Sequence, residues 1–352
     1  MSQYLIPFLT SFLLTAILIG VFIWAGKKIK WRGRISCRHI HKDGVLRIGG
    51  LAMVAAFIIA IFLNRDLVMT PELFGFMAGA LIFLLVGIWD DIKEIFWKIQ
   101  FFFQIAVAAL VFIVGVRIIC ITNLLTGGVI NLESGWLVIL SAALVIFWIV
   151  LITNTINWID GIDGLSSGIA FIAVITMFFL SLRPEVNQPP VAILCAILAG
   201  AFLSFLIFNF YPSKALAGTS GAMFMGFSLA ILAIFSGAKI ATAILVLAVP
   251  LIDFLWVIGE RIKKGQSIFK PDKNHLHHKL LELGWTQKKI VLGYWTVTLI
   301  IAAVSLNVRG LGKIFVLLIT AVIMVSALLW INKKIAILSR GKKQCPKHYD
   351  SA

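Results

Sequence analysis

Charge is what this chain has little of. Only 13% of its 352 residues are charged, and 15 are Asp or Glu, where soluble domains carry about 25% charged residues. A water-facing surface of ordinary size cannot be built from that supply. Disorder and a coiled coil need more charge still, so both are excluded. Cysteine is sparse as well: four residues, Cys37, Cys120, Cys195 and Cys345, with no Cys-x-x-Cys pair. This excludes a secreted disulfide scaffold, a redox motif and a thiolate zinc site. The first residues, Met1-Ser2-Gln3-Tyr4, lack the basic start of a signal peptide, and Lys27, Lys28 and Lys30 follow the first apolar run as a cytoplasmic stop. No internal repeat is visible, which argues against a transporter built from two related halves.

What is there is apolar. Hydrophobic residues make up 61% of the chain, and the mean hydropathy is +1.04. The apolar stretches are continuous, not alternating with period two, so a transmembrane barrel is excluded. Eleven runs stand out, near 4–26, 46–64, 71–89, 99–116, 135–153, 165–182, 190–208, 219–235, 240–258, 290–307 and 314–331. Each approaches the roughly 20 residues that a membrane-spanning helix needs. The expected fold is therefore all-α: a polytopic membrane bundle of about eleven transmembrane helices. It forms a single domain over residues 1–340, and the basic segment 341–352 reads as a disordered cytoplasmic tail.

The formal charge of +16 invites a nucleic-acid reading, but its distribution argues otherwise. The even-numbered gaps between runs hold only Arg65, Arg117, Arg183, Lys239, Arg309 and Lys313 of the 31 Lys and Arg. The rest sit in the odd-numbered gaps and the tail. The positive-inside rule makes those segments cytoplasmic, with the N-terminus outside and the C-terminus inside. The charge is thus mostly topology, facing the bilayer and an anionic ligand, and no nucleic-acid motif accompanies it.

The chemistry-bearing residues fall on that same side. Asp90 and Asp91 end the third run, in GIWDDIKEIFWK, where the helix dipole favours cations. Such a pair suits Mg²⁺ binding or proton abstraction. In NTINWIDGIDGLSSG, Asn154, Asn157, Asp160 and Asp163 recur every third residue along one face of a helix end. Gly161 and Gly164 break that helix and free backbone N–H groups. Asn209 and Lys214 bracket the next cytoplasmic loop, and Gly218-Thr219-Ser220-Gly221 opens the following run as a phosphate cradle. Asp253 lies about two turns inside the ninth run, so it should face the bundle interior or a wet cavity. His275, His277 and His278 cluster in PDKNHLHHKL after Asn274; Lys42 and Arg47 come from the first gap. The histidines lack a fourth zinc ligand and are flanked by Lys273 and Lys279, which suits a diphosphate better than zinc.

The combination resembles the polyprenyl-phosphate N-acetylhexosamine-1-phosphate transferases, which start bacterial cell-envelope glycans on an undecaprenyl carrier. The resemblance covers nearly the whole chain. NTINWIDGIDGL and PDKNHLHHKL are its most specific strings, GIWDD followed by Gln104 supports them, and the His-Leu-His-His form resembles the branch that uses UDP-N-acetylglucosamine. It implies transfer of a sugar-1-phosphate from a UDP-N-acetylhexosamine to undecaprenyl phosphate, releasing UMP, at the cytoplasmic face of the bacterial inner membrane. Mg²⁺ is the implied cofactor, with Mn²⁺ as its substitute, and a homodimer is one open assembly. Asp90, Asp91 and Asp163 would be the catalytic and metal-binding carboxylates. Lys42, Arg47, Asn154, Asn157, Asp160, Asn209, Lys214, Asp253, Asn274, His275, His277 and His278 would hold the substrates. The alternative is a transferase-like protein that binds lipid phosphate or nucleotide without turnover; a transporter or channel comes third.

Three positions depart from the family pattern. Thr219 stands where the family's Gly-Asp-(Thr/Ser)-Gly motif carries a metal-binding aspartate, and Gln100 stands at a usually basic position. Lys98, two residues earlier, points about 200° away around a helix. Val45-Leu46-Arg47-Ile48-Gly49-Gly50 replaces a Val-Pro-Arg-x-Gly-Gly pattern. The first two departures imply a raised Mg²⁺ requirement.

Overall fold

The computed structural model describes residues 1–28, 45–122, 128–237, 240–267 and 274–343. Helix dominates: α1 Ser2–Lys28, α2 Gly49–Leu63, α3 Pro71–Lys93, α4 Trp97–Ile113, α5 Leu137–Ile159, α6 Leu165–Ser181 and α7 Pro189–Asn209 form the first half. They are followed by α8 Gly218–Phe235, α9 Ile240–Val246, α10 Ala248–Lys263, α11 Leu276–Glu282, α12 Gln287–Asn307 and α13 Leu311–Lys343.

Each of the eleven apolar runs becomes helix, yet not each becomes a full span. Seven described helices are long and apolar enough to cross a membrane, or eight if α9 and α10 count as one broken span. The expected count of about eleven transmembrane helices is matched only in part, because α2, α4 and α6 are shorter apolar helices. At 1.5 Å per residue, 15–17 residues reach only about 25 Å of a roughly 30 Å hydrocarbon core. Hydropathy runs overshoot because residues flanking the helices, such as Leu46 and Ile48 before α2, are also apolar. The α9–α10 break, a 77° bend, falls at Leu247 just before Pro250, whose ring cannot fit an uninterrupted helix.

The all-α expectation also misses four short strands. β1 (Leu46–Arg47) pairs in parallel with β4 (Ala215–Leu216), Leu46 opposite Ala215 and Arg47 opposite Leu216. β2 (Cys120–Thr122) and β3 (Val129–Asn131) form an antiparallel pair. Strands of two or three residues leave no periodic signal in a sequence. The β1–β4 pair matters most, because each strand leads directly into a helix. Gly50 N–H also donates to Ala217 O at 3.1 Å, so α2 and α8 start side by side.

α7 and α8 form the centre of the bundle, buried over 83% of their apolar windows, while α1 and α13 are 22% buried and line the outside. α8 packs against α2, α3, α5 and α6. In lipid there is no hydrophobic gain from pairing apolar helices, so close packing and small residues decide the contacts. Gly87 of α3 lies directly against α8: a Cβ there would come within 2.2 Å of Ser220 Cα. Phe57, Phe76, Phe83, Phe224 and Phe227 interlock above that contact. This contact brings the end of α3 to the beginning of α8.

α13 continues through Gly341–Lys343, past the boundary expected at residue 340. Residues 344–352 lie outside the described residues.

Candidate active site

Asp90 and Asp91 occupy the last turn of α3, where the dipole of their own helix opposes them. The opposite dipole answers it. The N-terminus of α8 faces the pair, and Asp91 accepts from Thr219 N at 3.0 Å, Ser220 N at 3.5 Å and Ser220 Oγ at 3.3 Å. Arg47 Nη1, delivered by β1, adds an ion pair at 3.1 Å. Asp90 accepts from Thr219 Oγ1 at 2.6 Å and from Ile95 N at 3.0 Å. The phosphate cradle expected at Gly218–Gly221 is thus filled by the chain's own carboxylate. Gly218 permits this, at φ +68° with Asp91 Oδ2 only 2.3 Å from where a Cβ would sit.

Asp160 and Asp163 lie in the turn between α5 and α6. Asp163 is buried and accepts from Ser213 N at 3.1 Å. Asp160 accepts a short hydrogen bond from Ser166 Oγ. Burial pushes the Asp160 carboxyl up to about 6; the Ser166 bond and Arg47 pull it down, while Asp91 and Asp163 push it up. Asn209, the last residue of α7, ties the turn down: its Oδ1 accepts from Gly164 N at 3.0 Å and Ser167 Oγ at 2.9 Å, and its Nδ2 donates to Ala215 O at 3.1 Å. Asp160, Ile162, Asp163, Asn209, Leu216 and Ala217 line a small cleft of about 20 Å³, room for about one water.

The histidines close over this turn. His277 Nε2 would lie 2.5 Å from a Cβ at Gly161, and His278 Nε2 3.3 Å. His275 stacks on His277 with ring centroids 5.7 Å apart and 9° between planes, and His277 meets His278 at 4.2 Å. His277 is fully buried with neither ring nitrogen hydrogen-bonded. Burial holds its imidazole well below the usual histidine range, and His278 and His275 add to this, so it is neutral at pH 7.

Other expected site residues are placed differently. Asn154 is engaged in a reciprocal amide pair with Gln104 of α4, at 2.6 and 3.3 Å, and also donates to Val150 O at 2.8 Å. That pair joins α4 to α5 and leaves the Asn154 amide occupied. Asp253 is sealed from solvent, meets His275 Nδ1 at 2.9 Å and accepts from Leu276 N at 2.8 Å; it caps α11 and does not line the cleft beside Asp160. Asn157 and Asn274 are half-buried and Lys214 is exposed. Lys42 lies outside the described residues.

The sequence reading missed two features. Arg261 is among the largest fully buried side chains, its guanidinium 4.8 Å from the Trp158 ring centroid. Trp158 in turn meets His275 edge-on at 5.6 Å. The signal was available, since Trp158 sits inside NTINWID, but Arg261 reads as one more cytoplasmic cation. Glu260 joins α11 to α13, accepting from Trp256 Nε1 at 2.7 Å, Asn332 Nδ2 at 2.9 Å and Lys279 Nζ at 3.4 Å.

Among the described residues no group of three His, Cys, Asp or Glu side chains converges to hold a metal ion. Thr219 fills the space beside Asp90 with a hydroxyl, and Asp91 is surrounded by donors. The arrangement does not fit a cation cage made by protein alone. It fits a cation shared with a phosphate ligand, since Mg²⁺ commonly takes one or two carboxylates and completes its shell with phosphate oxygens and water.

A family model described as glycosyl transferase family 4 matches residues 73–237, from α3 through the end of α8. The chain is 29% identical over 339 residues to a probable undecaprenyl-phosphate N-acetylglucosaminyl 1-phosphate transferase of Bacillus subtilis, covering 94% of this chain and 88% of that protein. It is 31% identical over 286 residues to a decaprenyl-phosphate N-acetylglucosaminephosphotransferase of Mycobacterium leprae, covering 72% and 71%. A phospho-N-acetylmuramoyl-pentapeptide-transferase of Bacillus pumilus is 28% identical over 323 residues, covering 87% and 97%.

Proposed function

The chain belongs to glycosyl transferase family 4, and from that premise we propose that it transfers an N-acetylhexosamine-1-phosphate, N-acetylglucosamine-1-phosphate in the first instance, from a UDP-sugar to undecaprenyl phosphate. UMP is released, and the product begins a cell-envelope glycan in the bacterial inner membrane. The observation that carries the reading is the packing of His277 and His278 on Gly161, within the turn whose Asp160 senses both Asp91 and Arg47. One end of the bundle thereby gathers four carboxylates, a guanidinium and imidazoles beside an apolar wall. That set suits a soluble diphosphate meeting a lipid phosphate.

The chain's own residues supply positioning and charge control, which dominate phosphoryl transfer. Arg47, held at Asp91, and the exposed Lys214 attract phosphate oxygens. Asp163, anchored by Ser213 N–H, and the Asn209-braced turn present one face of the cleft to the nucleotide and sugar. Asp90 stands ready to hold a proton leaving the lipid phosphate. A Mg²⁺ ion arriving with the diphosphate would be held by Asp91 and Asp163 and would neutralise the charge of the leaving group.

The basic loops between helices support an orientation with the N-terminus outside and the site facing the cytoplasm, with α2, α4 and α6 as short crossings. The decisive experiment incubates purified protein, Mg²⁺ and undecaprenyl phosphate with a panel of UDP-sugars and measures UMP. Release with a UDP-N-acetylhexosamine alone is expected. No release with any sugar overturns the reading.

A further inference from the structure

We propose that Asp253 is a positioning residue: it locks His275 in the Nδ1–H tautomer and pins the start of α11, so that His275, His277 and His278 are held as one unit over the Asp160–Asp163 turn. The inference deepens the transferase reading and borrows from it only the assumption that these histidines meet the substrate.

Asp253 lies in α10, 22 positions before His275, and no solvent reaches it. A buried carboxylate must be paired and hydrogen-bonded. Its two oxygens divide the work: Oδ1 accepts the Leu276 backbone N–H at 2.8 Å, and Oδ2 meets His275 Nδ1 at 2.9 Å. The first bond satisfies one of the orphan N–H groups at the start of α11. Within a helix of only seven residues, that tether sets the direction of the whole element. The second bond selects the ring's proton. An ionised carboxylate can only accept, so Nδ1 carries a hydrogen, and in the neutral ring Nε2 is then the acceptor.

The ring is also fixed from its other faces. Trp158 meets His275 edge-on and packs against Phe254 at 4.5 Å, the residue next to Asp253, while the Arg261 guanidinium covers Trp158. His275 then stacks on His277, which rests on Gly161. A rotation of His275 would therefore be transmitted to His277. Asp253 is buried and does not line the Asp160–Asp163 cleft, so it acts through His275.

The test labels the protein with ¹⁵N-histidine and reads the tautomers of its six histidines by NMR in detergent micelles. His275→Gln identifies the His275 signal. The expected result is an Nδ1–H tautomer for His275 that Asp253→Asn, whose amide can donate, converts to Nε2–H. Finding His275 as Nε2–H or freely exchanging in the unmutated protein overturns the proposal, whether or not Asp253→Asn folds. A double-mutant cycle on UMP release provides the second readout. Asp253→Asn should lower turnover by roughly 10–100-fold, the scale seen when a carboxylate that orients a metal-binding histidine is removed. In the His275→Gln background the further loss should shrink to less than about 3-fold. Equal losses in both backgrounds would mean that Asp253 serves stability alone. A protein with no turnover at all would sink the transferase reading and leave the NMR answer standing.

Discussion

The Thr219 hydroxyl donates to Asp90 Oδ2 at 2.6 Å while the Thr219 backbone N–H donates to Asp91 Oδ1 at 3.0 Å. One residue thus serves both members of an acidic pair that lies 129 and 128 positions earlier in the chain. The pair stands against the dipole of α3 and is balanced by the dipole of α8. A third carboxylate at position 219 would convert this neutralised lock into a cation site.

That substitution is the first prediction. Thr219→Asp places three carboxylates together, and like charges so close cost on the order of several kcal/mol without a counter-ion. The variant should melt lower than its parent in EDTA and recover on adding Mg²⁺ or Mn²⁺, with a lower Mg²⁺ requirement for UMP release. The parent should melt at the same temperature with or without Mg²⁺. A variant indifferent to EDTA would show that position 219 does not address a cation.

Asp90→Asn and Asp91→Asn should each lower turnover by about 10²-fold or more, read as UMP release. Their stabilities should differ. Asp91→Asn loses the ion pair with Arg47 and turns a carboxylate that accepts several bonds into a half-donor. It should cost roughly 1–3 kcal/mol, and Asp90→Asn less. A fully active variant removes that residue from the mechanism.

Gly87→Ala tests the α3–α8 contact. The added methyl would meet the Ser220 backbone at 2.2–2.4 Å, so the helices must separate, at roughly 1–3 kcal/mol for an overpacked core. Because that shift pulls Asp90 and Asp91 from Thr219, activity should fall further than the melting temperature suggests. Gly20→Ala in α1, with nothing within 4 Å, is the control and should be neutral or slightly stabilising. Equal behaviour of the two variants would refute the close approach.

Asp160 carries a pH signature. Its carboxyl is raised from 3.8 to about 6, chiefly by burial, so the folded state holds the proton more tightly than the unfolded chain. The resulting stabilisation is complete below about pH 4 and is lost as pH rises through about 6. Asp160→Asn cannot ionise. Its melting temperature in metal-free detergent should match the parent's near pH 4 and exceed it increasingly between pH 5 and 7. A constant difference across that range would contradict the burial argument.

Orientation can be checked without any substrate. A reporter fused after Ala352 should be cytoplasmic and one beside Ser2 external. The reverse would put every motif on the wrong side for a UDP-sugar.

Much of the site was legible as types and spacing. The Asp90–Asp91 pair, the Asp160–Asp163 turn and the His275–His278 string stand out because nothing apolar at a membrane boundary requires them. Their partners were not legible. Asn154 belongs to a face with Asn157 and Asp160 by spacing, yet its amide is taken by Gln104, 50 positions away. Asp253, isolated in an apolar run, reads as facing the bundle interior or a wet cavity; it does lie in the interior, but its role as the cap of a helix beyond the next loop left no mark in the sequence.

Composition and hydropathy by themselves determine that the chain is a membrane bundle and where its long apolar helices lie, though not the short α11. Both signals are local: each backbone polar group in lipid must bond within its own helix. Tertiary structure alone decides that α2, α4 and α6 are short, that β1 and β4 deliver Arg47 to Asp91, and that Thr219 occupies the space beside Asp90. Those outcomes depend on which helices approach closely, and that is set by small residues such as Gly87 meeting a backbone 133 positions later in the chain. A single helix's sequence carries no record of the surface it will meet.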